Sequence, residues 1–300
     1  MYNIDVCIHG DLFKISTNSL YIYKILNIEL KNIDESEKNN YKRQLEIIYK
    51  RPSELYDKYI DGSHITAFNQ PIIFERRDKI TMIVSSLDDI YSIRSFITRE
   101  ILDYFYTNLY CVALHSSAIY TENGGTLFVG EKNAGKSSLC LGGIVSYDVK
   151  LVSDDITLLF VDSNNVYATG LFKGINANEN TISVLKTGMQ MLEQSDFIKD
   201  RYIPNDSLIC KETRIDRICF SRAHKTDKRV VVTKIKKKTF EDQFQRNIIR
   251  SFFGKKYHMN PYLVTDIITT LYNTTSVYNV KLNSNLMVSF EELNEIIGIM

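Results

Sequence analysis

Residues 130–137 read GEKNAGKS, a complete G-x-x-x-x-G-K-S stretch between a β-type apolar run (126–129, TLFV) and a segment able to open a helix (138–145, SLCLGGIV). That order constrains the fold more than any other feature, because such a loop works only between a strand and a helix. Its backbone N–H groups turn inward to phosphate oxygens, and the helix N-terminus adds a partial positive charge. The expected phosphate-binding residues are Gly130, Glu131, Lys132, Asn133, Ala134, Gly135, Lys136, Ser137 and Ser138. Lys136 is placed to reach the outer phosphates, and the Ser137 hydroxyl to hold Mg²⁺. On these residues alone, a nucleotide phosphate with Mg²⁺ is the expected ligand.

The rest of the chain sets limits around that loop. Its 300 residues carry a net charge of +1, so no global field draws it to nucleic acid or an anionic membrane. No stretch reaches eighteen apolar residues, the length a membrane helix needs at about 1.5 Å per residue, and no basic leader precedes an apolar core. The cysteines Cys7, Cys111, Cys140, Cys210 and Cys219 are odd in number and scattered. They suit reduced thiols in a cytoplasm rather than a disulfide framework or a zinc site.

Periodicity suggests two parts. Residues 1–95 read as a small α+β unit, and residues 96–300 as the nucleotide-binding unit. In the first, 2–8 and 12–16 form a hairpin through His9-Gly10-Asp11, 31–40 is a polar loop, and 41–49 is either a strand or a short helix. Runs 71–75 and 80–84 make a second hairpin. Ser85 and Ser86 then cap a helix reaching about Tyr110, with Ile90, Ile93, Phe96, Ile97, Ile101, Tyr104 and Phe105 at helical spacing. Beyond it, 112–120 and 126–129 pair through a glycine turn. Strands follow at 150–152, 156–161, 166–169, 217–221, 229–236 and 277–282, with helices at 239–250 and 260–272. The fold class is mixed α/β with largely antiparallel strands, because strands outnumber helices around the loop.

Two features complete the loop. His115 stands fifteen residues before Gly130, on the strand expected to pair with the loop's own strand. Asp154-Asp155 follows the loop helix at the end of an apolar run. A carboxylate there can hold Mg²⁺, and a second can take the proton of an attacking hydroxyl. The runs LHSSA (114–118), TLFVGEKNAGKSSL (126–139) and LVSDDITLL (151–159) resemble the catalytic domain of HPr kinase/phosphorylase. The relatives of that domain include kinases encoded beside ribosomal-peptide biosynthesis genes and, more distantly, phosphoenolpyruvate carboxykinases. The resemblance implies that fold, with Asp154 as general base, His115 as its partner, Lys136 on the phosphates, and Ser137 with Asp155 on the metal. It also implies ATP with Mg²⁺ as the cofactor pair, a homo-oligomer, and a hydroxyl acceptor on a peptide, a small protein or a small molecule.

The chain departs from the family at 170–179 (GLFKGINANE), which keeps glycines but lacks the family's signature and its metal-binding glutamate. Glu179 is the carboxylate available there. The departure argues for another acceptor than HPr and leaves the reverse phosphorylase activity unsupported. The expected function is a Mg-ATP-dependent kinase acting on a serine or similar hydroxyl. The alternative is a catalytically silent ATP-binding regulatory module, which has no need of a base. A GTPase is excluded by the lack of an N-K-x-D guanine reader. Residues 222–238 hold eight Lys or Arg against Asp227 alone, a pattern that reads first as a solvated hairpin and second as a dock for an acidic acceptor. No aromatic interleaving supports nucleic-acid binding.

Overall fold

The computed structural model describes residues 1–30, 41–50, 72–76, 79–86, 90–108, 111–147, 149–177, 179–184, 191–195, 198, 200–223, 229–283 and 286–300. The polar loop expected at 31–40 and the middle of the basic run, 224–228, lie outside them. Contacts divide the chain into one unit of Met1–Tyr104 with Phe252–Lys255, and another of Phe105–Ser251 with Lys256–Met300.

The first unit is a five-stranded sheet in the order β1-β2-β3-β5-β4. Its strands are β1 (Tyr2–Ile8), β2 (Asp11–Thr17), β3 (Tyr41–Tyr49), β4 (Ile72–Arg76) and β5 (Lys79–Val84). The β1–β2 hairpin turns through His9 and Gly10 at positive φ. Residues 41–49 are a strand, running parallel to both β2 and β5. Helix α1 (Leu20–Glu29) starts where the Ser19 hydroxyl accepts from Ile22 N–H, and it buries Ile22, Ile25 and Leu26. Arg43 of β3 donates to Asp103 and to the nearly inaccessible Glu100 at 3.1 and 3.3 Å, both on helix α2 (Ile90–Thr107).

The second unit is built on an eight-stranded sheet. Strands β6 (Val112–Thr121) and β7 (Gly124–Val129) form the expected hairpin, then helix α3 (Lys136–Tyr147) and strands β8 (Lys150–Ser153), β9 (Ile156–Asp162) and β10 (Asn165–Thr169) follow. A small three-stranded sheet, β11 (Ile175–Asn176), β12 (Leu192–Gln194) and β13 (Arg201–Pro204), is reached past helix α4 (Glu179–Val184). Strand β14 (Glu212–Ala223), strand β15 (Val231–Lys234), helix α5 (Lys237–Arg246), helix α6 (Pro261–Thr274), strand β16 (Ser276–Leu282) and helix α7 (Leu286–Ile297) complete it.

Most ladders are antiparallel, as the strand-rich pattern predicts, but the loop strand β7 runs parallel to β14, and β14 parallel to β16. Because β10 pairs with both β9 and β14, the path β10-β9-β6-β7-β14 closes on itself. Apolar layers fill the two faces. On one, Leu139, Cys140 and Ile144 of α3 pack with Phe128, Cys219 and Phe290. On the other, Leu114, Val129 and Phe220 pack with Phe240, Phe244 and Leu271.

The helix expected over 239–250 ends at Arg246 and caps at Asn247. The next residues serve β6 instead: His115 N–H donates to Asn247 O and Ile249 N–H to Ala113 O, each at 2.9 Å. Buried β6 backbone groups need partners, and Ile248, 6% exposed, gains burial by supplying them.

Candidate functional site

Strand β6 changes neighbours on both sides at His115 and Ser116. On one side, His115 bonds to Asn247, while Ser116 pairs with Val129, the residue before Gly130. On the other, His115 pairs with Ile156, while Ala118 pairs with Ser153. Strands β8 and β9 therefore both run antiparallel to β6, and the two aspartates occupy the break between them. A regular strand would send Asp154 and Asp155 to opposite faces. The break prevents this: Asp155 takes φ 71°, and Ile156 N–H folds back to Asp154 O at 2.9 Å. A strand irregularity of this kind re-aims side chains. Here it serves both His115 and Ser117, which share one face of β6 by the two-residue repeat.

Asp154 is held by three donors. Ser137 Oγ and Ser117 Oγ donate to its Oδ1 at 2.7 and 2.6 Å, and Asn176 N–H donates to its Oδ2 at 2.9 Å. Asp155 faces the other way along β6, with its Oδ1 3.3 Å from His115 Nε2. Its side chain is 59% exposed and that of His115 36%, so this pair is open to solvent. The hydrogen bond from His115 lowers the Asp155 carboxyl below its ordinary value, the charges of His115, Lys136 and Arg201 act in the same direction, and burial opposes them.

The loop has the backbone its composition requires. Gly135 sits at φ 86° and Asn133 at φ 64°, the left-handed region that favours these residue types. A Cβ on Gly130 would stand 2.6 Å from the carbonyl oxygen of Ser221 on β14, so only glycine fits between the two parallel strands. Leu139 N–H donates to Gly135 O at 2.9 Å, and the N–H groups before it belong to the helix end, which has no intrahelical acceptor for them. The Lys136 side chain crosses the loop and donates to Gly130 O and Glu131 O at 2.8 and 2.9 Å. Burial lowers its pKa, and the carboxylates of Asp154 and Asp155 partly restore it.

The structure thus brings all the expected residues to one site but pairs them differently from the expectation. The Ser137 hydroxyl is bonded to Asp154, not to Asp155, and His115 is paired with Asp155, not with Asp154. Glu179 begins α4, its side chain outside the described residues; the neighbouring Thr181 shares a hydrogen bond with Ser138 at 3.2 Å.

Three contributors escaped the sequence reading. Ser117 was legible, since it lies two residues from His115 and so on the same face. Asn176 and Arg201 were not, because β11 and β13 bring them in from an irregular stretch. Arg201 is 1% exposed and donates to Asn176 Oδ1 at 3.0 Å. It packs against Gly174, where a Cβ would stand 2.5 Å from its Nε.

A resident metal must fit this donor set. Among the described residues no cluster of three or more His, Cys, Asp or Glu could cage an ion. What is present is one hydroxyl and one carboxylate beside a phosphate loop. That all-oxygen set suits Mg²⁺, which binds through one or two carboxylates plus substrate phosphates and waters.

No family model matches the chain, and no curated protein matches it. Among solved structures it is similar to the HPr(Ser) kinase/phosphatase from Coxiella burnetii, at 12% identity and a TM-score of 0.31, over 62% of this chain and 97% of that one. No helix among the described residues is long and apolar enough to cross a membrane.

Proposed function

We propose that the protein is a Mg-ATP-dependent kinase that transfers the γ-phosphoryl group to a serine or similar hydroxyl of a peptide, small protein or small molecule. One observation carries the reading: the strand break turns two adjacent carboxylates to one face, one bonded to the loop serine and the other to a histidine. A loop that only binds nucleotide has use for the first carboxylate but not for the second.

In this reading the roles within the aspartate pair follow the geometry. Asp154 and Ser137 hold Mg²⁺, which when bound offsets charge on the outer phosphates. The loop N–H groups and Lys136 hold those phosphates, the lysine exchanging two loop carbonyls for phosphate oxygens. Asp155 accepts the acceptor's hydroxyl proton, and His115 orients it. The acceptor oxygen bonds to the γ-phosphorus as the bond from phosphorus to the β–γ bridging oxygen breaks, and ADP leaves with that electron pair. Asp155 is the more exposed of the two carboxylates, as a group meeting an incoming substrate must be. Among the described residues the five cysteines form no disulfide, which supports a cytoplasmic setting.

The test is γ-labelled ATP with Mg²⁺ and cell extract or hydroxyl peptides, comparing wild type with Asp155→Asn. Loss of a positioned base should lower transfer by about 10²- to 10⁴-fold while ATP still binds. Undiminished transfer removes Asp155 from the mechanism. ATP binding that Lys136→Ala abolishes, with no acceptor ever labelled by wild type, favours the silent binding module.

A further inference from the structure

We propose that Ser153 and Thr157 are positioning residues for the aspartate pair: their joined hydroxyls fasten the strand break from the face of β6 opposite the site. Their effect on phosphoryl transfer rests on the kinase reading; the fastening itself does not.

The registers place them. Ser153, the last residue of β8, stands opposite Ala118, and Thr157, the second of β9, stands opposite Leu114. Residues directly opposite across a ladder share a face, so both lie on the β6 face of Leu114, Ser116 and Ala118. His115 and Ser117, which bond the two carboxylates, lie on the other. The hydroxyl pair therefore sits behind the break and acts on Asp154 and Asp155 through the backbone between them.

The β6–β9 register stops at His115 and the β6–β8 register resumes at Ala118, leaving Ser116 and Ser117 in the gap. There Ser116 N–H reaches Asp155 O at a long 3.3 Å, and Ser116 O accepts from the Thr157 hydroxyl at 3.2 Å. Thr157 Oγ1 also lies 2.6 Å from Ser153 Oγ. A hydroxyl has one proton, and that of Thr157 goes to Ser116 O, so Ser153 donates to Thr157. This chain of two bonds ties the end of β8 to the start of β9 and both to β6.

The choice of residues fits that task. Ser116, Ser153 and Thr157 are 0% exposed, beside an apolar layer that includes Leu114, Ala118 and Leu159. Valine has the shape of threonine without the polar group, and a buried hydroxyl is costly unless bonded. The backbone it secures includes Asp155 at φ 71°, a conformation that a non-glycine residue keeps only where its surroundings fix it. Gly170 closes the packing: a Cβ there would stand 2.6 Å from Ser153 Cβ, so the chain leaving β10 lies directly on the serine.

The experiment follows amide hydrogen exchange without nucleotide, so that it does not depend on catalysis. Thr157→Val should speed exchange of the Ser116 and Ile156 amides, which close the break, by about tenfold beyond any change at Leu271 in helix α6. Measuring the excess over Leu271 removes a change of global stability. Thr157→Ser, which keeps the hydroxyl, should exchange like wild type. Ser153→Ala, which leaves the bond to Ser116 O in place, should show a smaller excess at the same two amides, and it decides alone if Thr157→Val does not fold. Equal acceleration at all three amides, no acceleration, or no rescue by Thr157→Ser overturns the proposal. Labelled-phosphate transfer then judges the kinase reading. Thr157→Val should lower kcat by about 10- to 100-fold, the scale of a slightly misplaced catalytic group, with KM for ATP little changed. Excess exchange at the break in a protein whose wild type labels no acceptor would sink the kinase reading and leave the fastening standing.

Discussion

Asp154→Asn separates the two aspartates most sharply, because the structure dictates how the new amide must sit. The Oδ2 side accepts from Asn176 N–H at 2.9 Å, a backbone donor that cannot turn away. The Oδ1 side accepts from two hydroxyls, Ser117 and Ser137, at 2.6 and 2.7 Å, and hydroxyls can reverse to accept. The asparagine oxygen therefore takes the Asn176 side and its NH₂ faces the serines, so all three contacts survive in neutral form. A charge-assisted hydrogen bond exceeds a neutral one by about 1 kcal/mol. Three of them put the loss near 3 kcal/mol, and relief of repulsion from Asp155 reduces it to about 2. For a unit of this size that corresponds to a fall in Tm of roughly 4–8 °C. Turning the Ser137 hydroxyl to accept from the amide, with the carboxylate gone, removes both proposed protein ligands of Mg²⁺ together. The Mg²⁺ concentration for half-maximal transfer should rise by about tenfold or more, whereas Asp155→Asn should lower the rate with little change in that concentration. The assays are thermal melts and labelled-phosphate transfer across a Mg²⁺ series. If Asp154→Asn leaves the Mg²⁺ requirement alone and Asp155→Asn raises it, the roles are the reverse of those proposed, and the resemblance-based assignment is restored.

His115→Ala removes the largest influence holding the Asp155 carboxyl below its ordinary value of 3.8. A depressed carboxyl is ionised at neutral pH and is protonated only as pH falls through its folded-state value. The variant should therefore protonate at higher pH than wild type, and the acid limb of kcat/KM should move up with it. A carbon-13 titration of the aspartate carboxyls that shows no upward movement would refute the pairing. Arg201→Met keeps bulk at a site 1% exposed but gives up the bond to Asn176 Oδ1 at 3.0 Å, and with it the grip on the backbone N–H that holds Asp154. Transfer should fall by about tenfold, equivalent to roughly 1.4 kcal/mol, with a smaller change in KM for ATP. Equal losses in Arg201→Met and in a buried core variant of matched Tm would make the arginine merely structural.

How far the sequence reveals this site depends on the range of the interactions that build it. The phosphate loop is local: Gly130, Gly135 and Lys136 act through backbone and side chains within eight consecutive residues, and their spacing is their geometry. The hairpin joining β6 to β7 is nearly as local, and it carries His115 and Ser117 beside the loop. The aspartate pair is different. Its position after the loop helix is visible, but strand alternation would part the two carboxylates, and nothing in the letters DD announces the positive φ at Asp155 that turns both to one face. The resemblance implies His115 with Asp154 and Ser137 with Asp155, whereas the ladder, breaking opposite Ser116 and Ser117, gives each carboxylate the other partner. Asn176 and Arg201 lie further still, brought in by strands of two and four residues whose pairing no periodic pattern records. Residues 247–249 show the same competition from the other direction. Helical spacing continues past Arg246, yet the unpaired edge of β6 draws Ile248 and Ile249 into extended backbone. That tertiary demand, which no local pattern records, ends the helix at Arg246.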